Sequence, residues 1–67
     1  MKVSEIDFTQ YQFERIAVLR HGGVDYCPKN AVEYVKKEYG DKDLADDDAV
    51  TLDADWLTLK LAESVKK

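Results

Sequence analysis

The sequence predicts an all-α protein, a small three-helix bundle with an acidic loop, its helices at approximately 9–20, 29–39 and 54–66. Three observations carry that expectation. Residues 53–67 run from acidic to basic, as a helix dipole favours, and repeat apolar residues at helical spacing. Pro28 opens and Gly40 closes a stretch with one apolar stripe. Thr9 and Gln12 have the capping-box spacing, ahead of a run that His21-Gly22-Gly23 stops. The rival arrangement is α+β, with a β-hairpin over 13–26, the same helix 29–39 and a strand near 50–56.

Taken in order, residues 1–8 carry Val3, Ile6 and Phe8 among polar neighbours with no secure period. Phe8 and Phe13 then stand where a hydrophobic staple would hold the start of the first helix. That helix is not cleanly amphipathic: Phe13, Ile16 and Ala17 share one side, and Tyr11 and Val18 lie opposite. The hairpin alternative pairs Arg15–Arg20 with Val24–Cys27 across His21-Gly22-Gly23. The second helix is better defined. Ala31, Val32, Tyr34, Val35 and Tyr39 form its stripe, while Lys29, Glu33, Lys36 and Lys37 take the other side. Residues 41–49 make a polar connection in which Leu44 can anchor to the core. In the third helix Ala54, Leu57, Leu61, Ala62 and Val65 project to one side, and Trp56 with Leu59 to another. A strand is its competitor, because Val50, Leu52, Ala54 and Trp56 alternate with Thr51, Asp53 and Asp55.

Sixty-seven residues suffice for one domain, read here over 1–67. A chain this short buries about 60% of its unfolded surface, so its own core supplies roughly 3–5 kcal/mol. A contact with a partner or a second copy therefore carries more weight than in a larger domain. The 45% hydrophobic content excludes a wholly disordered chain. No apolar run reaches membrane-spanning length and the N-terminus lacks a secretory apolar segment, so the expected place is cytoplasmic. Cys27 stands alone, which excludes an internal disulfide.

The net charge of −4 is unevenly spread. Seven aspartates (Asp41, Asp43, Asp46, Asp47, Asp48, Asp53 and Asp55) fall in one window against Lys42 alone. Those carboxylates do not follow a calcium loop: counting from Asp41, positions 5, 6 and 12 are Ala45, Asp46 and Leu52. A solvated loop with capping aspartates explains them. His21 and Cys27 lack an orienting third group for nucleophilic catalysis. Gly22-Gly23 fits no phosphate-binding loop and reads as a turn. No enzyme, cofactor or metal is expected.

The sequence thus points to a non-enzymatic protein-interaction module, such as a small regulator or inhibitor of bacterial or phage type. Its expected contact residues are Trp56 and Leu59 with Asp46, Asp47, Asp48, Asp53 and Asp55, an aromatic spot beside acidic charge. The expected partner is another protein with a basic surface, and a homodimer would also occupy the leftover apolar faces. The alternative is a small nucleic-acid-binding regulator using Arg15, Arg20, Lys29, Lys36 and Lys37 on the first two helices. The acidic balance disfavours it.

Overall fold

The computed structural model describes residues 1–46 and 48–65 and is α+β, not a helical bundle. Strands β1 (Arg15–Arg20), β2 (Gly23–Pro28), β3 (Val50–Asp53) and β4 (Trp56–Lys60) form one sheet in the order β2-β1-β4-β3. Helix α1 (Val32–Tyr39) follows a 3-10 turn at Lys29–Ala31 and connects the two hairpins. Further 3-10 turns lie at Val3–Glu5, Phe8–Gln10 and Ala62–Val65. Both hairpins are antiparallel, and they meet at the centre through the parallel pair β1–β4.

The expected helix over 9–20 does not form. Asp7 caps a short turn by accepting the Thr9 N–H at 3.1 Å, and the chain is extended again at Tyr11. Arg15–Arg20 then becomes a strand because Ile16 and Val18, both β-branched, stand on one face while Ala17 and Leu19 stand on the other. The poor helical amphipathicity of this run is a two-residue period seen through a 3.6-residue lens. His21 and Gly22 make the turn to β2, and Gly22 has φ +88°, which favours glycine.

The helix expected over 54–66 is absent for the same reason. Leu57, Leu59 and Leu61 are all fully buried, and Trp56, Thr58 and Lys60 alternate with them on the other side. The strand alternative near 50–56 also ends differently. Its alternation would continue through Ala54, yet Ala54-Asp55 forms a two-residue turn that starts β4 at Trp56. Ala54 sits at φ +55°, a conformation that L side chains rarely adopt.

The core lies on one face of the sheet. Ile16, Val18, Cys27, Leu57 and Leu59 pack there against Val35 of α1, Phe8 and Phe13 of the N-terminal segment, and Val3 and Leu44. Each fully buried Ile or Leu contributes about 1.5–3 kcal/mol. The N-terminal segment is tied to the chain after α1: the Val3 and Ser4 N–H groups donate to the Lys42 and Gly40 carbonyls, both at 3.1 Å. Gly40 is buried and right-handed, so it does not close the helix through a left-handed cap. Its role is close approach, because a Cβ there runs into the Lys36 carbonyl. Among the described residues no helix is long and apolar enough to cross a membrane.

Two substitutions test this account by thermal or urea unfolding. Ala54→Gly relieves the left-handed strain and stabilises by about 1 kcal/mol. Gly40→Ala drives a methyl group into the Lys36 carbonyl, distorts the last turn of α1 and destabilises by roughly 1–3 kcal/mol.

Candidate functional site: the open face of the sheet

The register places three rows of side chains on the face opposite the core. Pro28, Arg15, Trp56 and Asp53 form the first row, from β2 to β3. Tyr26, Ala17, Thr58 and Thr51 form the second, and Val24, Leu19 and Lys60 the third. None of these residues belongs to the core cluster or packs against it. Tyr26 is 67% exposed and Val24 38%, while Trp56, Leu19, Thr58 and Lys60 are half-buried by their neighbours.

Trp56 is the centre of this surface. The Arg15 guanidinium carbon lies 5.6 Å from its ring centroid, within cation–π range. The Tyr26 ring meets it edge-on, with centroids 5.4 Å apart and planes at 74°. The two aromatics come from strands that flank β1, and they meet because the residue between them is Ala17, only 6% exposed. A larger side chain at Ala17 would part the rings. Beside the cluster lies a shallow hollow of about 290 Å³ lined by Glu14, Arg15, Tyr26, Cys27, Pro28 and Trp56.

The expected contact residues divide on this framework. Trp56 and Asp53 are cross-strand neighbours on the open face, and Asp55 occupies the adjoining turn, where its carbonyl accepts the Glu14 and Arg15 N–H groups. Leu59 is removed from the group. Residues three apart in a strand point to opposite faces, and Leu59 is fully buried in the core. Asp46 and Asp48 lie at the other end of β3, where the Asp46 carboxylate accepts the Asp48 N–H at 2.9 Å. Asp47 lies outside the described residues. The four residues of β3 separate the two acidic groups by roughly 13 Å, beyond the screening length of about 8 Å at physiological salt. There is one acidic corner at Trp56 and another distant from it, not a single patch.

Tyr26 is the residue that sequence reasoning missed here, and Arg15, expected on a basic face, was not expected beside Trp56. The signal existed in the alternation of Arg15, Ala17 and Leu19 with Ile16 and Val18, but pairing to Trp56 depends on strands 41 residues apart in the chain. The basic residues expected to share a nucleic-acid face are dispersed instead. Arg15 lies on the open face, whereas Lys36 belongs to α1 and stands over the Phe8 ring, on the core side. His21 and Cys27 do not pair either: His21 is in the turn, and Cys27 is buried at the far end of β2.

A second polar cluster joins α1 to the edge strand. The Tyr39 hydroxyl donates to Asp25 Oδ2 at 2.6 Å and the Tyr34 hydroxyl donates to the same oxygen at 3.3 Å. Burial, then the bond to Asp25, holds the Tyr39 phenol well above the usual tyrosine range. The Asp25 charge raises the Tyr34 phenol, and burial followed by the Asp25 charge raises the Cys27 thiol. These shifts keep all three groups neutral, which suits a helix clamp and not a nucleophile. Among the described residues no three His, Cys, Asp or Glu side chains converge as metal ligands would. A groove of about 390 Å³ between α1 and the N-terminal segment is floored by Phe8, Tyr11, Phe13 and Val32, with Lys29 and Lys36 at its rim.

No protein-family model, curated protein or solved structure matches this chain.

The helix clamp has a measurable signature. A phenol with a raised folded-state pKa contributes stability below its unfolded pKa, and that contribution is lost as the pH climbs through the folded value. Tyr39→Phe is therefore expected to cost about 1 kcal/mol at neutral pH. It also removes one phenol from an absorbance titration, and loss of a phenol that titrates in the ordinary tyrosine range, in place of a late one, would contradict the clamp.

Proposed function

We propose that this protein is a non-enzymatic interaction module that docks another polypeptide on the open face of its sheet. The observation that supports this most directly is the Trp56–Arg15–Tyr26 cluster, because these three residue types dominate binding hot spots. The surrounding face mixes Leu19, Val24 and Pro28 with Thr51, Thr58 and Lys60. Such a balance of apolar and polar surface is ordinary for partners that also exist apart. The acidic corner of Asp53 and Asp55 biases the contact toward a surface that brings a cation to Trp56. Asp46 and Asp48 are too remote to take part. A regulator or inhibitor acts in this way, by covering a surface and not by turning over a substrate.

Trp56→Ala and Tyr26→Ala alter the face without opening the core, so both variants are expected to keep the wild-type far-ultraviolet circular dichroism. Each should weaken capture of the bound polypeptide at least tenfold, equivalent to about 1.4 kcal/mol. Asp53→Asn with Asp55→Asn should weaken it less, and Asp46→Asn with Asp48→Asn not at all. Capture that survives both aromatic substitutions at full strength removes the open face as the docking surface.

A further inference from the structure

We propose that the polypeptide which covers the open face is a second copy of this chain, packed sheet to sheet about a two-fold axis. The inference rests on the reading of this face as a docking surface and names its occupant. Two identical faces can meet about a two-fold axis lying in the face, running either across the strands or along them. The arrangement of charge selects between these. An axis across the strands, through the middle row, exchanges the outer two rows. Lys60 of one copy then lands on Trp56 of the other, next to Asp53. Lys60 has no ion pair of its own among the described residues, and the contact supplies both an indole face and a carboxylate. It does so twice, once in each direction. An axis along the strands sends Lys60 onto Leu19 and Asp53 onto Pro28, and the cation it brings to Trp56 is Arg15, which already lies on the Trp56 ring of its own copy.

The middle row is sterically compatible with the first arrangement, in which Tyr26 meets Tyr26 at the edge, and it admits the second equally, which also opposes Ala17 to Thr58. It meets its own copy with Ala17 and Thr58 at the centre, both small enough for sheets to approach to about 10 Å. Four strands and five residues give a footprint of roughly 300–400 Å² per copy, well under the ~800 Å² per partner of a standard interface. The dimer is therefore weak and reversible.

Light scattering on the intact protein, from about 10 µM to about 1 mM, reads this directly. The expected result is a rise from 7.7 kDa toward twice that mass across the range. Lys60→Glu puts like charges together at both contacts and is expected to hold the mass at the monomer value. Lys60→Glu combined with Asp53→Lys restores the opposite charges and with them the dimer, which separates a broken contact from a damaged fold. A constant monomer mass, or a dimer indifferent to Lys60→Glu, overturns the inference. If the protein is monomeric yet captures a different polypeptide in a manner that Trp56→Ala abolishes, only the second-copy assignment fails and the docking face stands. If it is monomeric and the aromatic substitutions also change no capture, the docking face fails as well.

Discussion

The parallel pairing of β1 with β4 is the interaction on which the rest of this structure depends. It sets Ile16 beside Leu57 and Val18 beside Leu59, so the two central strands deliver four fully buried aliphatic side chains to one core. Each hairpin alone would be marginal in water. Joined at the centre, they form a four-stranded sheet with a face wide enough to hold α1 and the N-terminal segment. The same register, read on the opposite face, puts Arg15 beside Trp56. A slip of one residue would send the leucines of β4 to solvent and the tryptophan to the core. Core and candidate site are thus two consequences of one alignment.

A two-layer protein of this size leaves one sheet face without a covering layer. Here that face is not uniformly polar, as a purely solvated surface would be, nor as apolar as a domain core. Its aromatic residues reach across Ala17 to one another, and Arg15 lies on the indole, so much of the apolar area is already sheltered within the face. This self-sheltering limits the apolar area that the uncovered face presents to water. The polar side chains of the core side serve the opposite purpose. Asp25 binds two tyrosines of α1 and is used up in holding the helix.

The helical segment 29–39 was legible because its stripe, its leading proline and its final glycine are local features. Val35 is fully buried and Tyr39 partly so, as the stripe requires, although Tyr34 stays half exposed and bonds Asp25 from the rim. Trp56 was legible as a candidate because large aromatic residues beside charge are unusual anywhere. Leu59 was misassigned because a three-residue spacing unites residues on a helix and separates them on a strand. The aspartates looked like one group because they are close in sequence, and the extended backbone of β3 pulled them apart.

Composition and local pattern alone determined a helix over 29–39, a turn at His21-Gly22 and one conspicuous tryptophan. They did not determine whether residues 15–20 and 56–60 were helix or strand, because short apolar runs satisfy both periods and the acidic-to-basic gradient of the last segment suits a helix. Only the tertiary structure decided that. A strand forms at 56–60 because β1 is there to satisfy its backbone, and the partner residues lie about forty positions away. Strand pairing is a non-local bond, and so is every neighbour of Trp56 on the open face.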